Sequence, residues 1–316
     1  MNVEEARIGR LRALFAQGAA RAGRDVEVDI GDDAAVLAPS LGRDVLSVDA
    51  HVEGVHFRRA WLTMRELGTR AATAALSDLA AMGAEPRAVL LSLALPAEVD
   101  EDQLDALALG VRDACDEVGA RVIGGNLARA SELSIHTTVL GRMSETPLTR
   151  RGALAGHGVY VTGTLGAAAL GLAALVEGRT DPALAPFVTR WRRPRARISE
   201  GRRLVEIASA AIDVSDGLAL DLARLADASG VGLELDLVEL PTERDFASAA
   251  ALLGRDPVAL ALRGGEDYEL AFTAPESIAL ARLATRIGVV VPQRGLRATG
   301  SGGAAIAVAG FDHFGR

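Results

Sequence analysis

Several carboxylates in this sequence stand where an apolar run ends, beside a glycine or at the start of a helical pattern. Carboxylates at strand ends and helix starts can project into a common crevice, and hard cations such as Mg²⁺ take oxygen ligands of this kind and share them with substrate phosphates. A single such aspartate is more simply an N-cap or a turn residue, but five motifs together indicate a metal and phosphate site. The motifs are Gly31–Ala34, Ser47–Asp49, Leu76–Leu79, Asp213–Gly217 and Gly264–Tyr268.

The motif Asp213–Gly217 is the richest of the five, because it combines two carboxylates, a hydroxyl and a glycine just before a helical pattern. A helix start offers free amides to an anion, and the aspartates could hold a metal ion that is bound to this anion. A simple N-cap at Ser215 or Asp216 is compatible with this interpretation. Gly264–Asp267 similarly predicts a turn at which the backbone can approach a ligand, or a turn alone.

Composition excludes whole classes of chemistry. All 34 basic residues are arginine, so the chain has no lysine for a Walker A loop, a protein-kinase strand or a pyridoxal phosphate Schiff base. The single Cys115 excludes an intramolecular disulfide and a multi-cysteine metal site within one chain. The formal charge of −8 argues against a nucleic-acid partner.

The N-terminal and the most apolar segments predict a soluble protein without a membrane anchor, and the single cysteine favours the reducing cytoplasm. Met1–Arg12 is acidic and contains arginine, so it lacks the apolar region of a signal peptide. Gly158–Val176 is uncharged and long enough to raise the question of a membrane span. It carries four glycines, however, and a buried strand, a glycine turn and a buried helix explain it better.

The elements that must position these motifs are mixed α and β in both halves of the chain. At roughly 100 to 200 residues per domain, 316 residues suggest two domains or one large one. A boundary near Pro147–Gly156 gives domains 1–148 and 149–316. The predicted helices are Glu4–Ala16, Arg65–Met82, Glu101–Val118, Leu165–Val176, Arg197–Ala210, Leu218–Ala228 and Pro275–Ile287. The predicted strands include Val26–Ile30, Ala88–Leu95, Leu133–Gly141, Val159–Thr162, Leu233–Leu237 and Tyr268–Thr273.

An ordered set of motifs resembles the thiamine-monophosphate kinase family of the aminoimidazole-ribonucleotide-synthetase-like superfamily. The pieces run in family order and spacing over nearly the whole chain, and the set is far more specific than any single piece. They are Ile30–Ala35, Val52–Phe57, Leu76–Ala84, Leu148–Arg150, Asp213–Leu218, Gly264–Leu270 and Gly310–Phe314.

The resemblance implies a two-domain α/β fold whose N-terminal strands pair across a homodimer. It implies Mg²⁺-dependent transfer of the γ-phosphoryl group of ATP to thiamine monophosphate, giving thiamine diphosphate. By motif matching, the metal ligands would be Asp33, Ser47, Asp49, Asp78, Asp213 and Asp216, of which Asp78 and Asp216 would be catalytic. Residues near ATP would be Asp33, Gly125, Asn126, Arg150 and Ser215. Residues facing thiamine monophosphate would be His56, Glu266 and Phe311.

This chemistry does not need a lysine. The acceptor is a phosphate monoester that is largely dianionic at neutral pH, so no general base is required to activate it. Repulsion between the acceptor and the triphosphate must be overcome instead, and phosphoryl transfer is catalysed mainly by positioning and electrostatic stabilisation. Several Mg²⁺ ions held by a cluster of aspartates can provide both.

The sequence departs from the family in three places. Gly124-Gly125-Asn126 stands where the family has a carboxylate after two glycines, Val48 replaces a hydroxyl residue, and the usual N-terminal start is missing. An amide oxygen can ligate Mg²⁺ but adds no charge, so we expect Asn126 to lie beside the metal and phosphate cluster and to limit its affinity for Mg²⁺.

Two alternatives stay open. One is another ATP-using enzyme of the superfamily. The selenophosphate and hydrogenase-maturation branches of the superfamily would require a reactive cysteine near one terminus, whereas Cys115 lies within a predicted helix. The other is a nucleotide-binding homologue that has lost catalysis, which Asn126 favours.

Overall fold

The computed structural model describes residues 3–17, 26–30, 34–39, 41–277, 280–299 and 304–311. The chain forms two compact units, Met1–Leu79 with Ala84–Glu145 and Ala80–Gly83 with Thr146–Arg316. The division into domains 1–148 and 149–316 stays a prediction. No helix among these residues is long and apolar enough to cross a membrane.

The first unit is built on a four-stranded sheet in the order β3-β6-β4-β5, in which only β4 and β5 are parallel. A short hairpin of β1 and β2 precedes it. Its elements are α1 Val3–Ala16, β1 Val26–Val28, β2 Val36–Leu37, β3 Arg43–Val52, α2 Met64–Met82, β4 Glu85–Leu95, α3 Glu101–Val118, β5 Arg121–Arg129 and β6 Ser134–Met143.

Helix α3 has the bounds that the sequence predicts, because both of its ends are set locally. Asp100 and Gln103 form a reciprocal capping box, and Gly119 ends the helix in the left-handed conformation at φ 76°. Helix α2 crosses α3 at two glycines: a Cβ on Gly68 would collide with the carbonyl of Leu107, and one on Gly110 with the carbonyl of Arg65.

The strand register divides the side chains of the first sheet between two faces. Ser47 and Asp49 are two residues apart on β3 and therefore share one face. Thr137, which pairs with Asp49, and Leu91, which pairs with Thr137, lie on the same face. Leu46, Val48 and Leu90 lie on the opposite face and are 66%, 65% and 42% exposed. That face is an apolar surface.

The second unit is built on a six-stranded sheet in the order β12-β9-β11-β7-β10-β8, with only β12 and β9 parallel. One core joins these strands to α7, and another joins α4, α5 and α8. Its elements are β7 Gly158–Val161, α4 Ala167–Val176, α5 Ala185–Arg192, α6 Ile198–Leu204, β8 Ala210–Val214, α7 Leu218–Ser229, β9 Gly232–Leu235, α8 Phe246–Leu252, α9 Pro257–Arg263, β10 Glu269–Ala274, β11 Thr285–Val291 and β12 Gly295–Ala298.

Two predicted helices of this unit are wrong in extent or in kind. The helix predicted over Arg197–Ala210 ends at Leu204, and Ala210 already begins a buried strand. In place of the helix Pro275–Ile287, a 3-10 turn at Leu280–Arg282 leads into β11. The β-branched run at the end of that segment pairs with β7 and β9, and this sheet pairing overrides the local helical pattern.

Candidate functional site

The turn between β8 and α7 joins three of the sequence motifs through its carbonyl groups. The N–H of Tyr268 donates to the carbonyl of Val214 at 2.9 Å, and the N–H of Glu266 donates to that of Ser215 at 2.8 Å. The N–H of Phe311 donates to the carbonyl of Asp216 at 2.9 Å. Asp216, Glu266 and Phe311, which are far apart in sequence, are therefore held around one turn.

Glycines make this close approach possible. Gly217 adopts φ 123°, which other residues rarely do, at the point where the chain enters α7. A Cβ on Gly310 would collide with the carbonyl of Asp216, the group that accepts the Phe311 hydrogen bond. The glycine before Phe311 therefore lets the C-terminal motif reach the turn.

The amides of the turn are already satisfied by Asp221. This side chain is 1% exposed, and its Oδ2 accepts hydrogen bonds from the N–H groups of Ser215, Asp216 and Gly217 at 3.1, 3.1 and 3.2 Å. The expectation that this helix start offers free amides to an anion is therefore wrong for these three groups. Burial, with the nearby charge of Asp216, raises the pKa of Asp221 to about 6.

Asp216 is paired with an arginine that the sequence analysis missed. Nη1 of Arg224 donates to Oδ2 of Asp216 at 2.6 Å and to Oδ1 of Asp221 at 2.8 Å. Asp213 lies nearby in sequence at the end of β8 and is 6% exposed. The only sequence signal for Asp221 and Arg224 was their three-residue spacing on α7, which places them on one helix face.

The Gly264–Tyr268 turn is held in an unusual backbone conformation. Glu266 and Tyr268 have φ values of 69° and 52°. The Glu266 carboxylate accepts a hydrogen bond from Nε1 of Trp191 at 2.7 Å, so a buried indole fixes its direction. This contact places α5 against the turn.

Asp267 occupies the N-terminus of α4. Its carboxylate accepts hydrogen bonds from the N–H of Gly166 at 2.6 Å and from that of Ala168 at 3.2 Å. The side chain is fully buried, and burial raises its pKa to about 7 although these hydrogen bonds oppose the change. The helix start after Gly163–Gly166 is therefore filled by the chain's own carboxyl group.

Glu269 lies beside this turn at the start of β10 and is fully buried. Arg197 donates to both of its carboxylate oxygens, through Nε at 2.6 Å and Nη2 at 2.5 Å. Nη2 of Arg190 donates at 2.5 Å and the hydroxyl of Thr162 at 2.7 Å. Two arginines of the basic segment Thr189–Arg203 thus serve an internal ion-pair network.

In the first unit, Ser47 and Asp78 are brought together. The hydroxyl of Ser47 donates to Oδ2 of Asp78, which joins β3 to α2. Oδ1 of Asp49 accepts the N–H of Ala50 at 2.7 Å. Thr137, the register partner of Asp49, has a buried hydroxyl oxygen for which the described part of the chain supplies no hydrogen-bond partner.

His56 lies next to this strand end. Its Nδ1 accepts the N–H of Val52 at 3.0 Å, so in the neutral ring the proton is on Nε2. His51 lies with its ring centroid 5.5 Å away and is buried. Burial, together with the charge of Arg70, lowers the pKa of His51 well below its ordinary value.

Asn126 is not brought to the face that carries Ser47 and Asp49. It pairs with Ser92, which pairs with His136, which in turn pairs with Ala50. Ala50 is the neighbour of Asp49 on β3 and so lies on the opposite face of the sheet, as does Asn126. Gly125 and Asn126 line a cavity of about 950 Å³ in the first unit, together with Leu46 and Leu90. Arg150 is exposed, and Asp33 lies outside the described residues.

Each unit carries oxygen donors of its own. Ser47, Asp49 and Asp78 supply them in the first unit, where the buried hydroxyl of Thr137 lies at the register position of Asp49. Asp213 and Asp216 supply them in the second unit, at the end of β8 and in the turn that follows it. Oxygen ligands are those that Mg²⁺ prefers. Within the described ranges, no three His, Cys, Asp or Glu side chains are grouped so as to hold a metal ion.

Comparison with protein-family models defines the class of this protein. Residues 31–143 match the N-terminal domain of AIR synthase related proteins, and residues 155–301 match the C-terminal domain.

Individual proteins of similar sequence and structure identify the family within this class. The chain is 41% identical to the thiamine-monophosphate kinase of Escherichia coli K12 over 263 residues, which cover 80% of this chain and 78% of that protein. The crystal structure of thiamine-monophosphate kinase from Stenotrophomonas maltophilia K279a superposes with a TM-score of 0.85 at 35% identity, covering 95% of this chain and 97% of that one. AaThiL complexed with AMPPCP and TMP superposes with a TM-score of 0.82 at 33% identity, covering 90% and 92%. The chain belongs to the thiamine-monophosphate kinase family.

Proposed function

We propose that this protein transfers the γ-phosphoryl group of ATP to thiamine monophosphate and releases thiamine diphosphate and ADP. The observation that carries the proposal is the turn at Val214–Gly217, which holds Asp216, Glu266 and Phe311 together in a chain of this family. A relative of similar fold was solved with AMPPCP, an analogue of ATP, and TMP. These two ligands match the two proposed substrates.

The residues around the turn have properties that suit thiamine monophosphate. Its thiazolium ring is cationic, and the 45% exposed ring of Phe311 offers an aromatic face to such a cation. The carboxylate of Glu266, held by Trp191, adds a negative charge of fixed direction. In the first unit, His56 carries its ring proton on Nε2, a donor of the kind that suits a phosphate oxygen.

The phosphoryl transfer requires Mg²⁺ in this proposal. Asp33, Ser47, Asp49, Asp78, Asp213 and Asp216 would hold the metal. When bound, Mg²⁺ neutralises phosphate charge and so reduces repulsion between the two substrates. Gly125, Asn126, Arg150 and Ser215 would lie near ATP, with Asp33. The chain's own contribution is to orient the two phosphates, since the dianionic acceptor needs no base.

We also propose that the protein acts as a homodimer through the first sheet. Leu46, Val48 and Leu90 form an exposed apolar face, and β3 is an edge strand of that sheet. Exposed contiguous apolar surface of this kind is typical of protein interfaces. The proposed partner is a second copy of this chain.

A non-catalytic nucleotide-binding protein is the second candidate, and Asn126 is the observation that favours it. Incubation of the protein and of Asn126→Asp with ATP, Mg²⁺ and thiamine monophosphate separates the two. A natural protein that forms thiamine diphosphate is the kinase. A silent natural protein whose Asn126→Asp variant gains activity is the homologue with lost catalysis.

Two charge-removing variants test the metal assignment. Asp78→Asn and Asp216→Asn are expected to abolish thiamine diphosphate formation while the protein stays folded, because each removes a carboxylate proposed to hold Mg²⁺. Asp116→Asn and Asp227→Asn are matched controls at exposed positions on α3 and α7. Turnover of either site variant at the control level under limiting Mg²⁺ would show that the metal assignment is wrong.

A further inference from the structure

One buried carboxylate fixes the backbone between β8 and α7. Asp221 lies in the first turn of α7, and its Oδ2 receives three successive N–H groups from Ser215, Asp216 and Gly217. Successive amides that converge in this way form the kind of concavity in which proteins bind anions. Here the anion is a side chain of the same turn, so the turn is held without any ligand.

The carbonyl side of the same turn carries the other parts of the site. The carbonyl of Ser215 holds the N–H of Glu266, and the carbonyl of Asp216 holds the N–H of Phe311. A shift of the turn would therefore move Glu266 and Phe311 together with Asp216.

Asp221 also acts on the Asp216 side chain through Arg224. Nη1 of Arg224 donates to both carboxylates, at 2.6 Å to Asp216 and 2.8 Å to Asp221. Asp221 thus anchors the cation that faces Asp216. One residue controls both the backbone and the charged neighbour of this aspartate.

We infer that Asp221 is a positioning residue for phosphoryl transfer, which fixes the turn that presents Asp216 and holds Glu266 and Phe311. The inference rests on the proposed function. Asp221 itself touches neither phosphate, since its two oxygens are occupied by the turn and by Arg224. Its effect follows from the dependence of phosphoryl transfer on positioning, where a misplacement of about 1 Å can cost on the order of 100-fold in rate.

The test compares Asp221→Ala and Asp221→Asn with Asp227→Asn, a control that removes the same charge from an exposed position on the same helix. All are measured below their unfolding temperatures. The measurements are kcat, the KM values for both substrates, Mn²⁺ binding by electron paramagnetic resonance without substrates, and hydrogen exchange of 213–217, 264–268 and 308–311.

Asp221→Ala is expected to lose on the order of 100-fold in kcat, to bind Mn²⁺ more weakly and to exchange faster in all three segments. Asp221→Asn keeps one oxygen acceptor of the same shape, so it is expected to lose less. Asp227→Asn is expected to match the natural protein in every measurement.

Two results would overturn the inference. One is that Asp221→Ala has the kcat and the Mn²⁺ affinity of the control. If Asp221→Ala fails to fold, the same result for Asp221→Asn overturns the inference. The other is faster exchange and a lower melting temperature with kcat unchanged, which is a structural role alone. If the natural protein forms no thiamine diphosphate, the proposed function fails. Mn²⁺ affinity and hydrogen exchange then test by themselves whether Asp221 anchors the turn, and unchanged values in Asp221→Ala would show that it does not.

Discussion

Replacing Glu269 with glutamine removes the buried carboxylate that both Arg190 and Arg197 bind beside the Gly264–Tyr268 turn. Oε1 accepts from Arg190 and Arg197, and Oε2 accepts from Arg197 and Thr162. A glutamine amide keeps one oxygen and places an NH₂ group against two donors at the other position. Two hydrogen bonds are therefore lost, and two largely buried guanidinium groups lose the countercharge that they share, with Arg197 keeping only its longer contact to Glu200 at 3.5 Å.

The expected cost follows from this geometry. Removing one partner of a buried ion pair typically costs about 3 to 5 kcal/mol. The side chains of Arg190 and Arg197 keep 14% and 21% exposure, so water can partly solvate them and the lower end applies. We expect a loss of about 3 kcal/mol in the free energy of unfolding, or roughly 6 to 12 °C in the melting temperature of a unit of this size.

Trp191 fluorescence in a Trp61→Phe background reports the unfolding of the second unit in urea. Glu177→Gln is the matched control, because Glu177 forms an exposed ion pair with Arg255 at 2.5 Å. Such surface pairs contribute about 1 kcal/mol or less. A Glu269→Gln protein that loses no more stability than Glu177→Gln would refute the role given to the buried network.

Three further predictions concern pH, substrate and assembly. Burial raises the pKa of Asp267 to about 7, so the folded state favours its protonated form and stability is lost as the pH rises from about 4 to 7; Asp267→Asn should flatten this fall in melting temperature, and an unchanged slope would contradict it. Phe311→Leu should raise the KM for thiamine monophosphate about fivefold, from a cation–π contribution of about 1 kcal/mol, and leave the KM for ATP unchanged; equal changes in both would assign Phe311 to packing. Leu46→Glu should shift the protein from dimer to monomer in size-exclusion chromatography, and an unchanged elution volume would place the interface elsewhere.

Elements with local signals could be predicted from the sequence. Helix α3 matches its predicted bounds because a capping box begins it and a glycine ends it. The segment Pro275–Ile287 was predicted wrongly, because its helical spacing is local while the pairing of β11 with two strands is not.

The candidate site was predictable in its residue types but not in its connections. The motifs identified Asp216, Glu266 and Phe311, yet no spacing could show that one turn binds the other two through its carbonyl groups. Asp221 was overlooked because an aspartate in a first helical turn is ordinary. The face on which Asn126 lies depends on a register that shifts between Val89 and Leu90, which a single sequence does not reveal.

The central claim is tested most directly by following the γ-phosphate itself. The purified protein is incubated with Mg²⁺, thiamine monophosphate and ATP radiolabelled at the γ-phosphate, and the products are separated by chromatography. Label in thiamine diphosphate, with ADP formed in equal amount and neither product formed without Mg²⁺, is the expected result. Label that stays in ATP or appears only as inorganic phosphate would contradict the assignment of this protein as a thiamine-monophosphate kinase.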